Sequence, residues 1–460
     1  MKTEIVQGKI YSLPKAVVQI KEALGEDAQL HLVGGCIRDM LLRKTPKDFD
    51  FATVLPPEIV ERRCKAAGIA TVIVGIRRGT ISAIINHVAY EITTFRQRGK
   101  ETLFSKTIEE DLSARDFTIN AIAYNLHTGT FVDPHNGRLD LYNGQLISVG
   151  SARHRFEEDP HRILRMCRFA AQFDFEIRKE EMEIAIKLSM LLQKIEPERI
   201  NAELKKIFVN LDGDKLLKCL MLLDEVGFFK IWIPEIEACK GIKQNKYHSL
   251  DVYEHIMNVV AGCNTYHVKL AALFHDIGKV ATKTIEENGD IHFYGHEDMS
   301  AIQTANIMKR LKFSNHDIET VKQLVALHMR PIDCGKKAIR KLKALLESDE
   351  NFLRWMELKY ADKVSGGTPE IELEKWKVNW EAFRNLLVEI ELEEEIHPTT
   401  QLAIDGFVVM NLFRLKAGPK VGVWLEKCKE YVYEFPEKNT IEDLTDLLMA
   451  IERRGGQGMS

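Results

Sequence analysis

The sequence predicts an α/β head followed by an all-α remainder, on three observations. Short runs rich in β-branched and aromatic residues crowd into about the first 150 positions. Beyond Asp159 glycines thin out, and apolar residues recur every three or four positions to the end of the chain. Within the first region, Leu32-Val33-Gly34-Gly35-Cys36-Ile37-Arg38-Asp39 followed by Pro46-Lys47-Asp48-Phe49-Asp50-Phe51 reads as strand, glycine turn, helix and second strand.

Taken in order, strands are expected at 29–33, 49–53, 71–74, 80–85, 89–94 and 131–133. The first ends at two glycines, which let a phosphate approach the backbone, and a helix begins at once with its N–H groups and positive dipole end facing it. In the second, side chains alternate, so Asp48 and Asp50 are expected on one face, with Phe49 and Phe51 in the core. Paired carboxylates suit hard cations such as Mg2+, and two ions held this way support in-line displacement at a phosphate. Glu91 is placed on a strand where a third carboxylate can sit, or stand as an ordinary exposed strand residue. Further on, Asp159-Pro160 is a helix start with Asp159 as N-cap and proline at the first helical position. Arg162, Arg165 and Arg168 then follow on one side of that helix, and Ile163, Met166, Cys167 and Ala170 on the other. Positions 241–247 and Ser365-Gly366-Gly367-Thr368-Pro369 are joints between helical parts, the acidic run 389–395 is a solvated helix face, and Arg453-Arg454-Gly455-Gly456-Gln457-Gly458 is a frayed tail.

With 460 residues, 45% hydrophobic and 29% charged, the chain has room for three or more domains of ordinary soluble composition. A net charge of −4 means that a nucleic-acid partner must be held by local basic patches. The candidates are Arg162/Arg165/Arg168, Lys205-Lys206, and Lys336-Lys337 with Arg340-Lys341 and Lys343, each also readable as a solvated helix face. Eight scattered cysteines without Cys-x-x-Cys argue against a zinc knuckle or disulfide framework and for a reducing compartment. With no apolar N-terminal segment and no run of eighteen apolar residues, a cytoplasmic protein without membrane contact is expected. Oligomeric state has no signature in the sequence.

The glycine turn and Asp48-x-Asp50 resemble the class II tRNA nucleotidyltransferase and bacterial poly(A) polymerase family, built on the polymerase β nucleotidyltransferase fold. Asp111-Leu112-Ser113-Ala114-Arg115-Asp116-Phe117-Thr118-Ile119-Asn120-Ala121 is similar to its second motif, and Asp133-Pro134 with Gly137, Asp140 and Leu141 to its third. Glu158-Asp159-Pro160-His161-Arg162-Ile163-Leu164-Arg165-Met166-Cys167-Arg168-Phe169 is close to its base-reading motif, and Glu198-Arg199-Ile200 with Glu203-Leu204 to the element after it.

The resemblance implies a nucleotidyltransferase head at 1–150, a helical neck at 151–240 and a helical tRNA-binding tail at 366–460. It implies addition of CMP and AMP, from CTP and ATP, to a tRNA 3′ end. Asp48 and Asp50 would be catalytic ligands of Mg2+, and Gly34, Gly35 and Arg38 would bind phosphates. Arg115 and Asp116 would meet the incoming nucleotide, Asp116 at a ribose hydroxyl. Asp159 and Arg162 would read the base edge, since cytosine and adenine both offer an amino donor beside a ring acceptor. Arg165 and Arg168 would lie near the triphosphate or primer.

Two departures from the family pattern are visible. Ala114-Arg115 stands where the family has an arginine pair, and the linker 97–113 is short and lacks an Arg-Pro segment, as in members that add only C. A CC-adding enzyme and a poly(A) polymerase therefore stay open beside full CCA addition.

A second constellation lies in the helical half. His255, His275-Asp276 within His275-Asp276-Ile277-Gly278-Lys279, and Asp362 resemble the ligand set of HD-domain metal-dependent phosphohydrolases. This implies an HD-type body at 241–365 with a second divalent metal, either active or retained as a tRNA-binding body. His296 and His328 are candidates for a further ion or for ordinary structural histidines. An HD phosphohydrolase whose head only senses nucleotides is the remaining alternative.

Overall fold

Seven strands at the start of the chain form one mixed sheet in the order Phe131–Val132, Ala123–Asn125, His31–Val33, Asp50–Thr53, Val88–Thr94, Thr80–Ile85, Ala70–Gly75. All neighbours are antiparallel except Asp50–Thr53 and Val88–Thr94, which run parallel with Phe51 opposite Ile92. The strands His31–Val33 and Asp50–Thr53 are buried on both faces apart from the exposed Asp50 at the start of the second. Leu32, Phe51 and Ile92 pack on one side with Val17, Ile20 and Leu24 of the helix Lys15–Leu24. Val33 and Ala52 pack on the other with Ile108, Leu112 and Ala121. Because side chains alternate, Asp50 shares the Ala52 face and Glu91 lies beside it on the neighbouring strand. That face also receives the segment carrying Arg115.

The computed structural model describes residues 5–6, 9–10, 13–75, 79–97, 100–244, 250–287 and 289–456. Tyr247, His248 and Ser249 of the run before His255, positions 98–99 of the short linker and Gln457-Gly458 of the tail lie outside them. Two compact units, Met1–Pro234 and Glu235–Ser460, divide the chain.

In the first unit the sheet is followed by helices Ala152–Glu158, His161–Phe173, Lys179–Lys187, Pro197–Asn210 and Gly213–Glu225. In the second, helices Val252–Ala261, Tyr266–Phe274, His296–Arg310, Asn315–Leu327 and Asp349–Ser365 surround a buried polar centre. Helix Glu370–Ile396 follows the Gly366-Gly367-Thr368-Pro369 break, and a separate apolar core of Ile404, Val409, Val421, Cys428, Val432, Leu444 and Leu448 holds the last helices together. The unexpected strands are short, among them Ala123–Asn125, the pair Arg96–Gln97 and Lys100–Phe104, and the hairpin of Thr284–Ile285 with Ile291–His292.

The acidic run 389–395 is not a purely solvated face. Glu389 and Glu393 sit 2.7 Å from Lys336, Glu394 lies 3.2 Å from Lys343, and Glu393 also takes Arg340. Lys337 and Lys341 are similarly engaged by Glu434 and Glu430. The basic run proposed from sequence as a nucleic-acid contact is thus largely neutralised by acids of its own unit. Two long helices brought side by side cost less in repulsion when their charges are opposite. No helix among the described residues is long and apolar enough to cross a membrane.

Candidate functional site

The glycine turn is built as the sequence demands. Gly34 has φ +73°, and a Cβ there would stand 2.9 Å from Arg115 Nη1 and 4.0 Å from Asp50 Oδ2. A side chain at Gly34 is excluded twice, by backbone conformation and by the guanidinium packed over it. The strand begins at Asp50, so Asp48 lies in the extended lead-in two residues earlier, not within the strand as expected. Asp48 and Asp50 both reach solvent. The Asp50 carboxyl is nevertheless desolvated by its surroundings, and the charges of Glu91 and Asp48 add to that in raising its pKa, against Arg115 and Arg96. A carboxyl beside two others whose negative charge acts on it is a fit for a divalent cation, which would remove that repulsion.

Arg115 is oriented from behind. Its Nε and Nη2 donate to Asp111 Oδ2 at 3.1 and 3.0 Å, and the Arg96 amide donates to Asp111 Oδ1 at 3.0 Å. Asp111 is buried, which alone would raise its pKa, but Arg115 and Arg96 lower it below the ordinary value. Asp111 was part of the recognised motif without an assigned role; only the fold shows that it aims Arg115.

A buried polar chain continues from there. Arg38 donates through Nε and Nη2 to Asp39 Oδ1 at 3.0 and 2.8 Å, and through Nη1 to Asn120 Oδ1 at 2.7 Å. Its guanidinium also lies 4.4 Å from the Phe173 ring centre. Asn120 Nδ2 donates to Asp116 Oδ1 at 3.0 Å, and Asp116 Oδ2 accepts from Arg165 Nε at 2.8 Å. Arg38, expected at the phosphates, is thereby committed to protein partners, because a buried guanidinium must be satisfied. Asp116 and Arg165 tie the segment that carries Arg115 to helix His161–Phe173. Burial would raise the Asp116 pKa, but Arg165, Asn120 and the Phe117 amide reverse this and push it down to about 2.

The three arginines of that helix do not share one ligand. Arg162 Nη1 is 2.5 Å from Glu158 Oε2, Arg165 meets Asp116, and the buried Arg168 donates through Nε to Glu203 Oε1 at 2.5 Å. Arg168 is turned into the neck, where helix Pro197–Asn210 supplies Glu203. The helix starts at His161, with Pro160 at the cap position, one residue later than expected. Asp159 still serves that end, since its Oδ1 accepts from the His161 amide at 3.3 Å while its Oδ2 accepts from Arg199 at 2.8 Å. Burial works against Asp159 ionisation, yet Arg199, His161 and Arg162 hold its pKa low.

In the second unit His255 Nε2 lies 3.1 Å from His275 Nε2, 3.1 Å from Asp276 Oδ2 and 3.2 Å from Asp362 Oδ1. The Nδ1 atoms of His255 and His275 donate to the carbonyls of Gly366 and Ala272 at 2.9 and 2.8 Å, which turns both Nε2 atoms toward the common centre. On the other side, Asp276 Oδ1 is 3.2 Å from His296 Nε2 and 3.7 Å from His328 Nε2, whose Nδ1 atoms bond Phe293 and Val325 carbonyls. The groups His255–His275–Asp276 and Asp276–His296–His328 each bring three donor atoms within 4.8 Å, which suits a pair of divalent metal ions sharing Asp276. The head's carboxylates do not converge as closely.

His296 and His328, left open in the sequence, are drawn in because Gly278 lets its loop press on helix His296–Arg310. A Cβ at Gly278 would lie 2.5 Å from the His296 carbonyl. Burial disfavours charge on His275, but Asp276 and Asp362 raise its pKa to about 10 and raise that of His255 as well. The anionic charge responsible is what a cation would neutralise. Burial lowers the pKa of His328.

Comparison with known proteins agrees with this layout. A model of the poly A polymerase head domain matches residues 30–147, one described as the probable RNA and SrmB-binding site of polymerase A matches 174–240, and an HD domain model matches 246–366. A CCA-adding enzyme of Streptococcus pyogenes serotype M3 is 32% identical over 339 residues, covering 68% of this chain and 82% of its own. One of Streptococcus uberis is 40% identical over 213 residues, a match that spans 44% of this chain and about half (52%) of that enzyme's length. Among solved structures, the Bacillus stearothermophilus CCA-adding enzyme in complex with CTP superposes with a TM-score of 0.70 at 24% identity, over 96% of this chain and 98% of that one, a likeness of fold.

Asp116 supplies a pH test of the polar chain. Its folded pKa of about 2 lies below the ordinary 3.8, so its stabilisation is fully present above pH 3.8 and is lost as pH falls toward 2. Asp116→Asn is expected to cost about 2 kcal/mol in urea unfolding at neutral pH, with the gap to wild type narrowing by about pH 3.

Proposed function

The chain belongs to the family of CCA-adding enzymes, and on that premise we propose that it adds CMP and AMP from CTP and ATP to the 3′ end of tRNA. The observation that carries this reading is the packing of Arg115 and Asp50 over the Gly34 turn, a cationic and an anionic group beside a backbone that a phosphate can approach. In the reaction the primer hydroxyl releases its proton to solvent as its oxygen forms a bond to the α-phosphorus, the bond from that phosphorus to the β-bridging oxygen breaks, and pyrophosphate leaves. Mg2+, when bound, would supply the charge stabilisation for this displacement. Asp48 and Asp50 would hold it, with Glu91 beside them.

Arg115, aimed by Asp111, contacts the triphosphate over Gly34 and Gly35. Arg38 holds the turn in shape, and Asp116 stands at the ribose. Asp159 and Arg162 read the base edge by exchanging Arg199 and Glu158 for the nucleotide, while Arg165 and Arg168 position their helix. Eight free cysteines, seven of them buried, support a reducing cytoplasmic setting. Within this reading the four parts are the head 1–150, the neck 151–240, the HD body 241–365 and the tail 366–460.

CC-only addition is the second reading of the head, favoured by the linker. Residues Arg96–Gln97 and Lys100–Phe104 pair as a short hairpin, leading by Thr107 directly into helix Ile108–Ser113. Little free chain is left to reshape the pocket between C and A. ATP offered to a tRNA already ending in CC decides the matter: incorporation of one A is the expected result, and its absence with C addition intact establishes the second reading.

For the other unit, we propose a divalent-metal phosphohydrolase. His255, His275, Asp276 and Asp362 would hold one ion, and Asp276, His296 and His328 a second. Bound ions would supply charge for a phosphate and acidify water. Lys279 Nζ, 2.6 Å from Asp276 Oδ2, fixes that carboxylate.

Two variants separate the two chemistries. Asp50→Asn is expected to abolish nucleotide incorporation, and its Tm in chelator should equal or exceed that of wild type because carboxylate repulsion is relieved. The gain in Tm on adding Mg2+ should shrink. Asp276→Ala is expected to abolish metal-dependent phosphoester hydrolysis and leave C addition within about twofold; loss of both activities in a folded protein would contradict two independent sites.

A further inference from the structure

The cavity above Asp276 measures about 550 Å³, of the size that holds a small organic ligand and larger than a phosphate alone requires. Its floor is the His/Asp centre. Its rim is different in character and comes partly from outside the HD-like segment. Helix Glu370–Ile396 contributes Trp376 and Asn379, and the loop after the short hairpin contributes Tyr294.

Trp376 ends an aromatic column. It stacks on Trp380 with ring centres 5.1 Å apart and planes at 20°, and Trp380 stacks in turn on the buried Phe383 at 5.7 Å and 23°. Tyr294 is 73% exposed and lies parallel to His292 at 5.1 Å and 6°. Large aromatic side chains stacked on neighbouring rings at the mouth of a polar cavity are poor candidates for solvation alone, because each leaves apolar surface in water. Between rim and floor stand two cations. Lys359 is anchored by donating to the His328 carbonyl at 2.9 Å, and Lys363 lines the same wall.

We infer that this rim is a base-binding subsite, so that the centre takes a nucleoside phosphate, with the phosphate toward Lys359, Lys363 and the His/Asp floor and the base stacked on Trp376. Tyr294 offers a second aromatic surface, and the Asn379 amide, both donor and acceptor, is suited to a base edge. The inference rests on the phosphohydrolase reading of this unit. It adds that the helix beyond the HD-like segment is a specificity element: phosphoesters without a base meet the same floor but lose the rim.

The test uses the full-length protein with Mn2+, comparing AMP with base-free ribose 5-phosphate. Phosphate release gives KM and kcat, and calorimetry gives binding. Trp376→Ala is expected to weaken AMP binding and raise its KM about 5- to 100-fold with kcat retained, the range for loss of one stacked base. Ribose 5-phosphate should be unaffected, and Trp376→Phe should restore AMP. The head is unchanged in both variants, so any nucleotide it binds cancels from the comparison. Equal KM values for the two substrates in wild type, unmoved by Trp376→Ala, would overturn the subsite and leave the hydrolase standing. Trp376-dependent AMP binding without hydrolysis under Mn2+, Mg2+, Zn2+ or Ni2+ would uphold the subsite and overturn the hydrolytic reading. Neither hydrolysis nor Trp376-dependent binding would overturn both.

Discussion

The first unit depends on one buried polar chain: Asp39 to Arg38, Arg38 to Asn120, Asn120 to Asp116, Asp116 to Arg165. Its members come from the helix after the glycine turn, from the segment that carries Arg115, and from helix His161–Phe173. Asn120 is the hub because its amide accepts from a guanidinium through Oδ1 and donates to a carboxylate through Nδ2 at once. Arg38 and Asp116 would otherwise be buried charges without matched partners, and such groups are costly to isolate. Fully paired, the chain fixes the distance between the carboxylate cluster and the arginine helix, so the phosphate chemistry and base selection proposed for them are held to one frame.

The second unit solves a related problem by other means. Four histidines each give Nδ1 to a backbone carbonyl, and all four Nε2 atoms turn inward around Asp276. The ligand shell is therefore oriented by helix ends and loops rather than by long polar side chains. This arrangement is tight where the head's is open: the HD-like donors converge within a few ångströms, while Asp48, Asp50 and Glu91 face solvent and interact through repulsion. The contrast fits their proposed work. A site that clamps a triphosphate and a primer must leave room for both, whereas a hydrolytic centre needs a preset shell.

Much of this was legible in the sequence because it is local. Alternation located the strand Thr80–Ile85 to the residue and the others to within two, and Gly366-Gly367-Thr368-Pro369 marked a helix break that the chain makes there. Charge partners were not legible, since they are set by packing between distant elements. Nothing in the run 336–343 shows that Glu393, Glu394, Glu430 and Glu434 will meet it, so a basic cluster read as a nucleic-acid contact proved to be internally paired. Asn120 and Asp111 lie inside a motif the sequence displays, but their tasks appear only when Arg38 arrives from a helix and Arg96 from a strand distant in sequence. Strand Ala123–Asn125 went unread because it is three residues long and follows the motif without a turn signal.

The most direct test of the claim that a single polar network unites the glycine turn with the neck helix is a double-mutant cycle on unfolding free energy between Arg38→Met and Asp116→Asn. The two side chains are joined through Asn120, not to each other. The account predicts strong non-additivity, with an interaction energy of about 0.5–3 kcal/mol, while additivity within about 0.3 kcal/mol would contradict it.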